Sequence, residues 1–269
     1  MRLHPLLSVC LAALLLSACS DMPENTWQGY AEGEYVHVSA MDGGIVKQVA
    51  VKRGDRVKAG DFLFRLEKRP EEHARDAAEA TLAETRATLH EAERELKRKL
   101  ELRKTRNVAQ SEVDTARARR NRAGAAMLVA ATSLDQAKWR LARREGHAPA
   151  DGLVEDVLFR EGETAAAGQP VVTLLPPGNI NIRFFVPAAD LSNLAEGSTV
   201  NLSCTNCGKS LTGTIRFISK EAGFAPPAIY GGGSKDKPVY MAEAVPDAAP
   251  ENFHPGQPVM VSLPPAAPE

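Results

Sequence analysis

One pattern of 27 residues occurs twice in this chain, at residues 40–66 and again at 148–174, with a constant offset of 108. The identities are Ala40/Ala148, Gly44/Gly152, Val46/Val154, Val49/Val157, Gly54/Gly162, Ala59/Ala167, Gly60/Gly168 and Leu66/Leu174. All are glycine, alanine or apolar strand positions, so the copies share a backbone shape and not a set of reactive groups. In each copy, apolar alternation (Ile45/Val46, Val49 and Val51; Leu153, Val157 and Phe159) indicates a strand. Arg53-Gly54-Asp55 and Glu161-Gly162-Glu163 then read as tight turns that need positive φ. Neither half is large enough to bury a core alone, so the two are expected to pack on each other as one β sandwich. The block between them must then be an insertion.

The paired halves, residues 34–66 and 147–176, resemble a biotinyl/lipoyl domain. Carrier domains of that kind hold a modified Lys on a tight hairpin joining the halves. Here the hairpin is replaced by residues 67–146, and the nearest Lys, Lys68, runs straight into Arg69-Pro70. Lys68 is therefore read as a solvated residue, and no covalent cofactor is expected.

The inserted block has the composition of a long helical hairpin. From Pro70, well placed to open a helix, to Lys104 there is no further Pro and no Gly; residues 110–145 carry only Gly124. Leu82, Leu89 and Leu96 recur every seven residues beside Ala78, Thr85 and Ala92. In the second segment Val113, Arg120, Met127, Leu134 and Leu141 form one lane, and Ala116, Ala123, Ala130 and Ala137 the other. Large and small lanes at heptad spacing suit close antiparallel packing across the short turn Thr105–Ala109. About 35 residues per helix give an arm roughly 50 Å long. Arg120 interrupts a core lane and is expected to snorkel to solvent.

Charge is unevenly placed. Residues 68–145 hold 19 Lys and Arg against 13 Asp and Glu, although the whole chain has a formal net charge of −1. Between Arg94 and Arg122 there are eleven basic residues and four acids, so the excess gathers near the turn. There Arg98-x3-Leu102-x6-Ala109, followed by Val113-Asp114, resembles the Arg-x3-Leu-x6-Ser tip pattern of the HlyD, or membrane fusion protein, family of periplasmic adaptors. In that family the tip is implicated in docking to a TolC-type outer-membrane channel. Ala109 replaces the hydroxyl, and Ser111 lies close but out of register.

Residues 1–18 have the plan of a secretory signal: Arg2, an apolar run from Leu6 to Leu16, then small residues. The run is too short to span a bilayer. Leu16-Ser17-Ala18-Cys19 resembles the lipobox of bacterial lipoproteins, which makes Cys19 the expected lipidation site and residues 19–33 a tether. At the other end, residues 178–265 read as short strands: Ile180–Val186, Thr199–Ser203, Leu211–Ile218, Val239–Ala244 and Val259–Leu263. These suggest a small β barrel, with one helix over Pro187–Gly197 and a tail at 266–269. The barrel segment resembles that of adaptors serving ABC-type exporters.

Cys204 and Cys207 form the one close cysteine pair. In an oxidising periplasm a local disulfide is expected; a thiol or metal site is the alternative. No nucleophile elbow, P-loop or metal-spaced His cluster is present. The expected fold class is thus α+β, elongated and multi-domain: split sandwich, inserted hairpin, small barrel. The resemblance implies a non-enzymatic, lipid-anchored periplasmic adaptor without cofactor or metal, held on the inner rather than the outer membrane. Its implied partners are an inner-membrane transporter (an ABC exporter before an RND pump), a TolC-type channel and further copies of itself in a ring of six. A carrier subunit of a multienzyme complex is the other reading of the sandwich. Nucleic acid is not an expected partner.

Overall fold

The structure is a computed structural model, and it describes residues 25–205, 211–224, 238–247 and 253–264. The chain divides into two compact units, one of residues 35–176 and one combining the segments before and after them. In chain order the strands are β1 (Thr26–Gly33), β2 (Val36–Ser39), β3 (Gly44–Val49), β4 (Arg56–Val57) and β5 (Phe62–Leu66). Helices α1 (Arg69–Lys104) and α2 (Gln110–Ala142) follow, then β6 (Glu145–His147), β7 (Gly152–Val157), β8 (Thr164–Ala165) and β9 (Pro170–Leu175). The last strands are β10 (Ile180–Pro187), β11 (Thr199–Ser203), β12 (Leu211–Gly223), β13 (Val239–Pro246) and β14 (Pro258–Ser262).

The sequence repeat is a structural repeat. Strands β3, β4 and β5 return as β7, β8 and β9 at the same offset, and two four-stranded sheets result, ordered β2-β9-β7-β4 and β6-β5-β3-β8. Their shared core consists of six repeat-related pairs: Ala40/Ala148, Val46/Val154, Val57/Ala165, Leu63/Val171, Phe64/Val172 and Leu66/Leu174. The turn glycines match as well, with φ of 90° at Gly54 and 92° at Gly162, and 88° at Gly60 and 81° at Gly168.

The halves are joined by reciprocal hydrogen bonds. The N–H of Val46 donates to the Glu163 carbonyl and that of Val154 to Asp55, both at 2.8 Å. Gly162 donates back to Val46 and Gly54 back to Val154, again at 2.8 Å. Ala40 and Gln169 are paired through Ala40 N–H at 2.9 Å, as are Ala148 and Asp61; Gly168 donates to Ala40 and Gly60 to Ala148 at 2.7 Å. Each half thus satisfies the backbone of the other's turns, which neither could do alone.

Both ends of the hairpin are rooted in this sandwich. Strand β6 pairs with β5, and Leu66 N–H donates to the Arg144 carbonyl at 2.8 Å. The Arg144 guanidinium bonds the Glu71 carboxylate on α1 and the Gly43 carbonyl (2.9 Å). Arg143 reaches the Met41 carbonyl and Asp42, each at 3.3 Å, while stacking over Trp139 at 4.3 Å. Gly146 is required here, because a Cβ would lie 2.2 Å from the Phe64 ring.

Along the arm, Val113, Ala116, Ala123, Ala130, Leu134 and Ala137 of α2 are buried against α1, as the heptad lanes predict. Arg120 is exposed and pairs with Glu93 across the helices at 3.3 Å.

Within the described residues of the other unit, six antiparallel strands close a barrel in the order β1-β10-β13-β12-β11-β14. This corrects the reading of residues 19–33 as a tether, because Thr26–Gly33 is a barrel strand paired on both sides. Its alternation is concealed by small residues: Trp27 and Ala31 are buried, and Gly29 lies so close to β10 that a Cβ would sit 2.4 Å from the Arg183 carbonyl oxygen. The expected helix over Pro187–Gly197 is also corrected; only Leu191–Asn193 forms a 3₁₀ turn. Pro187 instead ends β10, opposite Val239, and Asp190 accepts from the Trp27 indole N–H at 3.0 Å. A segment this short, with Asp, Ser and Asn competing for backbone bonds, has little helical stability of its own.

Substituting Gly29→Ala is expected to destabilise the barrel by about 1–3 kcal/mol through overpacking against β10. Chemical denaturation monitored by Trp27 fluorescence measures this, and an unchanged midpoint would refute the close approach.

Candidate functional site

The hairpin tip is closed by backbone geometry that the sequence did not advertise with a glycine. Helix α1 ends with Arg106 in the left-handed region at φ 61°. The Asn107 N–H donates to the Leu102 carbonyl and the Arg106 N–H to that of Arg103, both at 3.0 Å. This is a Schellman closure, and it holds an Arg where Gly is usual. Arg103 adds a bond from its guanidinium to the Val108 carbonyl at 3.0 Å.

Helix α2 begins with half a capping box. The Glu112 carboxylate accepts from the Ala109 N–H at 3.4 Å and from Lys99 on α1 at 2.6 Å. In a full box the N-cap hydroxyl would accept in return from the residue-112 N–H; Ala109 has no such oxygen. The Lys99 ammonium, and then the Ala109 N–H, hold the Glu112 carboxyl below the usual carboxylate range.

The sequence motif is therefore gathered at the turn. Arg98 is exposed and bonded to Glu95, one turn before Leu102, which is 38 % exposed; Ala109 is the N-cap of α2. All four acids of the tip are taken up by neighbouring bases: Glu95 by Arg98, Glu101 by Lys104, Glu112 by Lys99 and Asp114 by Arg117. Arg94, Lys97, Arg103, Arg106, Arg119 and Arg122 remain without an acidic partner among the described residues. What the arrangement offers is a stiff, cationic end with an exposed Leu.

Other expected sites are placed less fully. Cys19 and Cys207 lie outside the described residues. Cys204 is disulfide-bonded and accepts a contact from the Gln257 side-chain amide at 3.2 Å. Lys68 caps α1 and pairs with Glu72 at 3.3 Å. No helix among the described residues is long and apolar enough to cross a membrane.

Residues 74–143 match the family model described as RND MFP, alpha-helical hairpin domain. The arm is similar to that hairpin domain. Over 196 residues the chain is 28 % identical to the uncharacterized protein YdhJ of Escherichia coli K12, covering 72 % of this chain and 68 % of that one. It is 29 % identical over 145 residues to the multidrug resistance protein MdtA of Yersinia pestis, which spans 53 % of this chain and only 33 % of MdtA. Among solved structures, the membrane fusion protein Spr0693 from Streptococcus pneumoniae R6 superposes with a TM-score of 0.68 at 18 % identity. That match covers 90 % of this chain and 99 % of Spr0693. MacA from Actinobacillus actinomycetemcomitans gives 0.63 at 19 %, over 90 % and 79 %. The fold is thus that of membrane fusion proteins: α+β, with a hairpin and β-rich domains.

Restoring the missing oxygen tests the tip geometry. Ala109→Ser should complete the capping box and raise stability by about 1 kcal/mol, measured by urea unfolding. The Glu112 contribution should be full above the ordinary carboxylate range and fade as pH falls through the lowered value. A Glu112→Gln variant whose stability follows pH as the parent's does would refute it.

Proposed function

We propose that this protein is a lipid-anchored periplasmic adaptor coupling an inner-membrane transporter to a TolC-type outer-membrane channel. The observation that carries the reading is the basic hairpin end, with Arg98, Leu102 and Ala109 gathered at its closure, on a hairpin of the membrane-fusion-protein kind. The work is mechanical and not catalytic: a stiff arm, rooted at both ends in one sandwich, passes movement of the pump to the channel and seals the path. Copies assemble as a ring of six. Acyl chains on Cys19 hold the ring at the inner membrane, where burial contributes roughly 0.8 kcal/mol per methylene. The disulfide of Cys204 closes locally onto Cys207.

For the pump, the barrel's likeness to adaptors of ABC exporters supports an ABC partner, whereas the hairpin's family model bears the RND label. Purifying the adaptor with its transporter separates these. ATP hydrolysis by the co-purified pump fits the first; a proton-driven pump in its place corrects the pump class and leaves the adaptor role standing.

The tip reading is tested by Arg98→Asp. It should abolish crosslinking of the tip to the outer-membrane channel and lower export about tenfold, equivalent to about 1.4 kcal/mol of docking free energy. Capture and export both at parental levels would refute the assignment. Cys19→Ser should lose acyl labelling and leave the membrane fraction; retention in that fraction would count against lipid anchoring.

A further inference from the structure

Phe224 is 76 % exposed, the most of any large apolar side chain among the described residues. It follows directly on β12, beyond a bulge at residues 219–221. In that bulge Ser219 Oγ accepts from the Glu221 N–H at 3.2 Å and donates to the Glu221 carbonyl at 3.0 Å. The ladder then resumes, Ala222 against Tyr240 and Gly223 against Val239, so the strand is held to its last residue. Val239 pairs in turn with Pro187 of β10. Continuing the β1–β10 register past Gly29–Phe184 brings Thr26 opposite Pro187. Phe224 therefore stands one residue beyond a cross-strand row made of Gly223, Val239, Pro187 and Thr26.

This is also the end at which the chain enters the barrel. Adjacent strands lie about 4.8 Å apart, so the start of β1 is within roughly 15 Å of the end of β12. From Cys19 to Thr26 there are seven residue steps, at most about 25 Å of fully extended chain. Acyl chains on Cys19 would thus keep this end of the barrel close to the bilayer. Its border is small or apolar: Ala188 and Ala189 are exposed after β10, and Pro264 is exposed after β14. The charges there are Lys220 against Asp190, Glu196 and Glu221. With acids in excess, anionic headgroups do not attract this end, and burial of apolar surface is the favourable term.

We propose that this end of the barrel rests on the lipid bilayer, with the Phe224 ring entering the headgroup layer. The acyl chains hold the protein at the membrane, and Phe224 decides which end of the barrel faces it. A large apolar ring suits the boundary between headgroups and acyl chains. The ladder up to Gly223 fixes the backbone beneath it, so little chain entropy is lost on contact. The bilayer is the occupant because seven residues of tether leave it within reach of this end in every copy. The inference deepens the adaptor reading by giving the barrel a membrane-facing end, and rests on that reading for the acylation of Cys19.

The test places the full-length acylated chain in vesicles of zwitterionic lipid, with or without bromine on the lipid acyl chains. An environment-sensitive fluorophore on Ala188→Cys should shift to the blue and be quenched by the brominated lipid. The same label on Thr212→Cys, exposed at the opposite end of β12, should show neither change. Adding Phe224→Ser to Ala188→Cys should remove most of the quenching, whereas Phe224→Trp should keep it. Anionic lipid should not strengthen the signal. All three substituted positions are exposed, so each variant is expected to fold, and an unchanged unfolding midpoint checks this. Equal quenching at residues 188 and 212, or quenching indifferent to Phe224→Ser, overturns the contact; acyl labelling of Cys19 then leaves the anchor standing. Shielding of the residue-188 label only by an added transporter, without bromine quenching, gives this end to a protein partner and overturns the proposal. Quenching that depends on Phe224 in a chain with unacylated Cys19 keeps the contact and removes the anchor.

Discussion

The sandwich is held by bonds that each half makes on behalf of the other, and the rest of the hairpin unit depends on that exchange. Val46, Gly54, Gly60 and Ala40 find their partners at Glu163, Val154, Ala148 and Gln169, while the repeat-related residues answer in kind. With the halves apart, these backbone groups lose those partners, and the six core pairs lose their opposing layer. Closure brings Leu66 and Arg144 within one hydrogen bond of each other, although they are separated by the whole length of the arm. An inserted hairpin can project stiffly only because both its roots are held in one ladder. Arg144, bonded to Glu71 and to Gly43, couples that ladder to the first turn of α1.

The same chain encloses one domain inside another. Barrel strand β1 precedes the sandwich, and its neighbours β10 and β14 come only after the chain has returned from the hairpin. The hairpin's contacts are comparatively local about its turn, whereas sandwich and barrel closure join segments over a hundred residues apart. Local closure lowers the entropic cost of bringing distant segments together, so early formation of the hairpin would favour sandwich assembly. The turn glycines at 54, 60, 162 and 168 serve that assembly by placing N–H groups toward the opposite half.

Much of this was legible because the governing signals were periodic. The 108-residue offset located the strands, the core pairs and the insertion, and the heptad lanes identified the residues of α2 that are buried. The misreadings share a cause, which is that tertiary contacts outweighed local pattern. Residues 19–33 read as a tether from their place after Cys19, but Gly29 is an interior strand position once β10 is placed against it. Pro187–Gly197 carried helix punctuation at both ends, yet Pro187 pairs within a strand and Asp190 is held by Trp27. The left-handed Arg106 could not be seen either, since its conformation comes from the Schellman bonds and not from a permissive residue.

The site itself was legible only as a position. Spacing put Arg98, Leu102 and Ala109 near the turn, but their roles divide once the turn is built. Arg98 and Leu102 are displayed, while Ala109 belongs to the start of α2, where a hydroxyl would act on the backbone before it acted on any partner. A Ser-to-Ala exchange at such a motif can therefore alter the stiffness of the tip without removing a contact to the channel. The Lys99–Glu112 pair works in the same direction, tying the end of one helix to the start of the other at 2.6 Å. On the proposed adaptor reading, in which the arm transmits displacement, a tip that yields is as damaging as a tip that fails to bind. The local capping chemistry and the docking chemistry are thus parts of one requirement.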